Sequence, residues 1–143
     1  MAVASTGLKP VGAVNVAAAA GAGGLSKVSI EQILTWNPDV ILALDPAFYR
    51  SVVADPLWGP VKALRERRIY LAPNLPYGWF DAPPGVNRLI GVRWLASILY
   101  PKQFPENLRG TTRAFYKLYY SVELTDEQIN TLLLPATSSK REQ

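Results

Sequence analysis

Between Val28 and Asp45 the hydrophobic pattern changes period within eighteen residues. Ile30, Ile33 and Leu34 recur at helical spacing, and Ser29 with Gln32 has the S-x-x-Q arrangement of a capping box. Asn37-Pro38 then stops the helix near Trp36, because a residue ahead of proline is pushed out of the right-handed helical region. Val40 to Leu44 follow as an unbroken apolar run led by β-branched residues. Such a run predicts a strand covered on both faces, as in a parallel sheet packed with helices. Asp45-Pro46 closes it. Ligands of open α/β sheets sit beyond the carboxyl ends of strands, so Asp45 to Arg50 is the first place to look for a site.

The rest of the pattern alternates in kind. Residues 1–27 are rich in alanine and glycine; a short helix is expected around Val11–Val16, then a linker at Gly21–Gly24. No predicted strand leads into those glycines and no phosphate-loop spacing is present, which sets aside a phosphate cradle. Pro46 opens a helix over Ala47–Ala54 that Asp55-Pro56 ends. Leu57–Pro60 is a turn, Val61–Arg67 a short basic helix or extended approach, and Arg68–Leu71 a second strand stopped by Pro73-Asn74. Two strands separated by helical material fit a βαβ unit. The proline-bracketed loop from Pro73 to Pro84 carries Tyr77, Trp79 and Phe80, rigid side chains suited either to ligand contact or to capping the core. Pro84 to Tyr100 is the longest helix, with Leu89, Val92, Ala96 and Leu99 as one core stripe and Ile90 and Trp94 on a second covered side. Thr112–Tyr120 is an aromatic helix in which Phe115 and Tyr119 share a face. Thr125 with Gln128 starts a last helix whose Ile129, Leu132 and Leu133 face inward before Pro135.

Composition narrows the function classes. The 143 residues are 49% hydrophobic and 18% charged, enough for one folded domain with a core. No stretch has the length of a membrane span, and no signal peptide is visible at the N-terminus, which leaves open cytoplasmic residence or a mature or truncated piece. Cysteine and histidine are both absent, which excludes disulfides, thiolate metal sites and Ser-His or Cys-His catalysis. The net charge of +4 is spread along the chain, so no nucleic-acid partner is expected, while an anionic small ligand remains open.

The run Ser29-x-Glu31-Gln32-Ile33-Leu34-x-Trp36-Asn37-Pro38-Asp39-Val40-Ile41 resembles the helix–strand joint in the C-terminal lobe of periplasmic substrate-binding proteins of ABC importers for iron–siderophore, haem, cobalamin and related cargoes. Gly12–Ala17 is similar to that family's Gly-x-x-Asn-Val-Ala turn. Trp58-Gly59, Val61–Leu64, Arg68–Tyr70 and the run Pro83–Pro101 add to the likeness in order and spacing, from about Leu8 to Leu134. The resemblance implies an α/β fold: a three-layer lobe with a mostly parallel sheet flanked by helices. It implies residues 1–27 as a flexible segment or remnant of the lobe start, 28–135 as the lobe, and 136–143 as a disordered tail. It also implies a periplasmic or extracytoplasmic location, no enzymatic activity and no intrinsic cofactor. The cargo it implies is an iron chelate, haem, cobalamin or an oxyanion, with histidine-ligated haem set aside. Phe48, Tyr49 and Arg50 after the first strand, with Tyr77, Trp79 and Asp81 after the second, would face the cleft. Glu31 matches the glutamate that docks on the membrane permease.

A complete receptor of this kind has roughly twice this length. The N-terminal lobe, the connecting helix and the first strand of this lobe have no counterpart here. Two other readings follow from the residues: a small α/β enzyme using Asp39, Asp45 or Asp55, and a single-lobe interaction protein. A lobe without its partner exposes apolar surface, so self-association is expected.

Overall fold

The computed structural model describes residues 2–3, 11–18, 26–80, 85–105 and 107–137. In chain order the elements are β1 (Ala2–Val3), β2 (Ser26–Lys27), α1 (Ile30–Trp36), β3 (Ile41–Ala43), α2 (Pro46–Ala54), a 3-10 turn (Pro56–Trp58), α3 (Lys62–Arg65), β4 (Ile69–Leu71), α4 (Asn87–Leu99), α5 (Leu108–Tyr120) and α6 (Asp126–Thr137). β1 and β2 form an antiparallel pair, Ala2 opposite Lys27. β3 and β4 are parallel, with Ile41 opposite Ile69 and Ala43 opposite Leu71. α2 and α3 make the crossover between them, so the expected βαβ unit is present.

Alternation along β3 and β4 sorts side chains into two layers of packing. Ile41 joins Val28, Ile33, Val61 and Ala63 on the face toward α1 and α3. Val40, Leu42 and Tyr70 join the larger core built by α4, α5 and α6, where Trp94, Leu95, Phe115 and Ile129 lie. Helices thus cover both faces of a parallel sheet, the three-layer arrangement the apolar run at Val40–Leu44 implies.

The capping boxes read from sequence close as expected. Ser29 Oγ accepts from the Gln32 N–H while Gln32 returns a bond to the Ser29 N–H, and Thr125 and Gln128 do the same at the start of α6. Asn37 terminates α1 in a left-handed conformation (φ 41°, ψ 61°), with its N–H donating to Ile33 C=O. The same residue then reaches across the fold. Its Oδ1 accepts from the Lys62 N–H at 2.8 Å, capping α3, whose own N-cap, Val61, has no side chain to do so. Pro38 C=O accepts from Ala63 N–H, and the Lys62 ammonium pairs with Asp39 at 2.5 Å.

Several boundaries differ from expectation for identifiable reasons. Residues 11–18 form turns in place of a helix: Gly12 has φ of +69°, and Asn15 Oδ1 takes the Ala17 N–H that a helix would use. α5 starts earlier than read, at Leu108, because Asn107 caps it through the Gly110 N–H. α6 continues past Pro135 to Thr137; a proline this near the C-terminus removes only one late backbone bond. α4 begins at Asn87; Ile90, Trp94 and Ala96 are buried as expected, and Leu89 departs from its stripe. Leu89, expected in the core, is 57% exposed, while Asn87, Ile90, Trp94 and Leu95 are buried. The Gly21–Gly24 linker lies outside the described residues, as does the tail beyond Thr137.

The Asn37 joint generates a test by substitution. Glycine tolerates the left-handed conformation but loses the cap, so Asn37→Gly is expected to cost about 1 kcal/mol of stability. Asn37→Ala loses both and is expected to cost about 1–2 kcal/mol more. Urea unfolding of the two variants checks the order; equal midpoints would mean that the backbone conformation carries no weight.

Candidate functional site

The parallel pairing of β3 and β4 brings the segments after them, 45–50 and 72–80, to one end of the sheet. Asp45 caps α2 there: its carboxylate accepts from the Phe48 N–H at 2.7 Å, and Pro46 occupies the first helical turn without needing a donor partner. Phe48 is half-buried edge-on against Trp58, with ring centroids 6.0 Å apart. Arg50 is exposed. Tyr49 points elsewhere, lining a groove of about 610 Å³ between α2 and the approach to β4, shared with Val52, Trp58, Arg65 and Arg67. Phe48, not Tyr49, lines a separate and larger groove, which Phe80 lines as well.

The loop after β4 is fixed from behind by a polar network inside the core. Trp79 is 1% exposed and donates through Nε1 to the Tyr116 hydroxyl at 3.3 Å. That hydroxyl in turn donates to Leu75 C=O. Burial pushes the Tyr116 phenol above its ordinary pKa, against the opposing effect of the Trp79 hydrogen bond, so it stays protonated as a donor. Asn87 donates to Tyr77 C=O at 2.9 Å and is itself held by the Tyr120 hydroxyl at 2.7 Å. Gly91 makes the close approach possible: a Cβ there would lie 1.7 Å from Trp79 O. The expectation that Trp79 presents a face to ligand is corrected on these grounds; its indole is a core anchor. Tyr77, 56% exposed at the tip of the same loop, keeps a free ring. Asp81 lies outside the described residues.

Sequence reasoning missed Asn87, Tyr116 and Tyr120 as the residues that set this loop. The signal was Asn87 itself, a polar residue one turn ahead of Ile90 and two ahead of Trp94 on the same helical face.

Glu31 stands exposed in the first turn of α1. The Ser29 hydroxyl beside it and its own backbone N–H hold its carboxyl below the usual range, so it is a charged knob at neutral pH. The carboxylates considered for catalysis are engaged structurally: Asp39 with Lys62, Asp45 at the start of α2, and Asp55 at the 3-10 turn through the Leu57 N–H. Among the described residues no cluster of three carboxylates forms a metal-binding group, and no helix is long and apolar enough to cross a membrane.

This α/β layering, with an aromatic loop at the sheet's carboxyl end, belongs to a recognisable class. Residues 7–75 match the periplasmic binding protein family. The chain is 36% identical over 116 residues to the molybdate-binding protein MolA of Haemophilus influenzae, covering 79% of this chain and 32% of that protein. The fold superposes on an ABC transporter solute-binding protein from Sulfurospirillum deleyianum with a TM-score of 0.74 at 39% identity, covering 78% of this chain and 34% of the other. A periplasmic solute-binding protein from Veillonella parvula gives 0.75 at 30% identity, covering 90% and 41%. Residues 7–75 are thus similar to the periplasmic binding protein family, and most of the fold is like that of part of a two-lobed solute-binding protein. These relatives are solute-binding transport proteins, not enzymes. The chain spans about a third to two fifths of their length.

The two aromatics of the loop are expected to separate by stability. Trp79→Ala should cost about 3–5 kcal/mol, whereas Tyr77→Ala should stay within about 0.5 kcal/mol of the parent. Denaturant midpoints of the two variants decide it, and a parent-like Trp79→Ala would place that indole outside the core.

Proposed function

We propose that this chain is the C-terminal lobe of the cargo receptor of an ABC importer, working outside the cytoplasm and delivering cargo to a membrane permease. The cargo class is an oxyanion of the molybdate type. The observation that carries this reading is the identity to a molybdate-binding protein across most of the chain, MolA, which has also been solved with molybdate bound. Lack of histidine and of any carboxylate cluster among the described residues is consistent with cargo held by hydrogen bonds and a guanidinium. The iron-chelate, haem and cobalamin cargoes that the first resemblance implied receive no support from that relative.

The lobe's contribution to a cleft is the rim formed by Arg50 and Tyr77. Arg50 supplies an exposed guanidinium after β3, and Tyr77 supplies a ring and hydroxyl on a loop pinned from the core. Asp45 takes the Phe48 N–H of α2 with its own carboxylate, whose charge disfavours an anion at that helix end, so the guanidinium is the attractive group on this side. Asp81 belongs to the same proposal on the strength of the family resemblance. Glu31, on the separate surface of α1, is the permease-docking carboxylate.

Two measurements test these assignments in a two-lobed receptor carrying this lobe. Calorimetric titration should give binding of sodium molybdate and none of ferrichrome, with Tyr77→Ala weakening molybdate by about tenfold, or 1.4 kcal/mol. Ferrichrome binding with molybdate inert would overturn the cargo class. Glu31→Ala should leave molybdate affinity at the parent value and reduce ATP-driven uptake in vesicles; normal uptake would refute docking through this residue.

A further inference from the structure

Backbone and side chains of the loop after β4 face opposite ways. Three of its carbonyl oxygens, two residues apart, accept hydrogen bonds: Pro73 from the Trp79 N–H at 3.0 Å, Leu75 from the Tyr116 hydroxyl, and Tyr77 from the Asn87 amide at 2.9 Å. The Leu75 and Tyr77 side chains are more than half exposed. The first of these bonds closes the loop on itself, and the other two tie it to α5 and α4. Tyr116 also accepts from the Trp79 indole, so its tie cannot be cut without disturbing the core. The tie under Tyr77 is separable from that packing.

Asn87 is 1% exposed, and the two ends of its amide have opposite needs. The Tyr77 carbonyl can only accept, so it takes Nδ2, and Oδ1 accepts from the Tyr120 hydroxyl at 2.7 Å. Tyr120 thereby fixes which way the amide points. Without that hydroxyl, Oδ1 would lose its donor inside the core, and the amide would gain by turning away from the loop. A core gains little from such a pair, because exchanging both partners for apolar groups of similar shape leaves stability nearly unchanged. Ile90, Trp94 and Leu95 already supply apolar packing on the same helix. What Asn87 and Tyr120 add, and leucine and phenylalanine would not, is a fixed position for the backbone beneath the Tyr77 ring.

We infer that Asn87 and Tyr120 are positioning residues for cargo, acting through the Tyr77 carbonyl on the ring that meets it, a role that rests on the rim of Arg50 and Tyr77 proposed above. Asn87 is enclosed by the core and Tyr120 acts through Asn87, so the pair governs affinity from behind the loop. With the carbonyl held, the ring meets cargo with little backbone freedom left to lose. With it released, that freedom is lost at each binding event and affinity falls, although every side chain of the rim is intact.

The test joins Asn87→Leu to Tyr120→Phe, which removes both polar groups at once and leaves the Tyr77 carbonyl to water. In the 143-residue chain the melting midpoint should stay within about 4 °C of the parent. Exchange of the Trp79 amide, whose bond closes the loop, should quicken about tenfold, while that of Ile129 in α6 keeps the parent rate. In a two-lobed receptor carrying this lobe, the double variant should bind sodium molybdate about fivefold more weakly. Added to Tyr77→Ala it should weaken binding no further, because the ring it positions is gone. Tyr120→Phe alone should move exchange and affinity in the same directions by less. An equal loss of affinity with and without Tyr77 would show a general structural role and overturn the inference, as would a midpoint lowered by about 10 °C or more. Parent affinity or parent Trp79 exchange in the double variant, with Tyr77→Ala weakened, would overturn it and leave the rim standing. Parent affinity in Tyr77→Ala would overturn the assignment of Tyr77 to the rim, and the positioning role with it.

Discussion

The side-chain amide of Asn37 is the constraint on which the arrangement of the sheet depends. Its backbone ends α1 in the left-handed region, where asparagine is tolerated and most residues are not. Its side chain then caps α3, twenty-five residues along the chain. The two neighbours reinforce it, Pro38 through its carbonyl to Ala63 and Asp39 through the Lys62 ammonium. β3 begins four residues after Asn37, and β4 begins seven after Lys62. Tying Asn37 to Lys62 therefore sets where the two strands meet, with Ile41 opposite Ile69. A slip of one residue would turn Ile41 and Leu42 to the opposite layers and break both cores together.

That dependence explains which parts of the fold were legible in advance. Capping boxes at Ser29 and Thr125, the stop at Asn37-Pro38 and the two apolar strands are local signals, and local hydrogen bonds decide them. α4 is different. Leu89 and Ile90 are equally apolar, and periodicity alone supports either stripe. The choice is made by distant groups: Asn87 is drawn inward because Tyr77 C=O and the Tyr120 hydroxyl satisfy its amide, and Gly91 follows because only glycine lets the Trp79 backbone approach. With those residues inside, Leu89 must face out.

The site shows the same division. Strand order was legible, and with it the placement of the segments holding Phe48, Arg50 and Tyr77 after β3 and β4. The direction of individual side chains was not. Tyr49 follows the helical turn of α2 away from the rim, and Trp79 is captured by Tyr116 across thirty-seven residues of sequence. An aromatic in a proline-bracketed loop has two stable fates, and the partner that selects between them lies on another element.

The network that buries Trp79 also has a consequence for the loop as a contact surface. Bonds to the carbonyls of Leu75 and Tyr77 come from α4 and α5, elements packed in the main core, so the backbone under the Tyr77 ring is held from beneath while the ring remains outside. A ligand meeting that ring would have little backbone freedom to remove, which lowers the entropic cost of the contact. In the proposed site Arg50 would contribute in the opposite way, through charge on a flexible stem whose ordering opposes binding. The proposed rim thus combines one preorganised ring with one cation on a long stem, and neither encloses a ligand on its own side. Most small-molecule sites bury the greater part of the ligand surface, so the rim is suited to act as one wall of a site whose other wall comes from a second body.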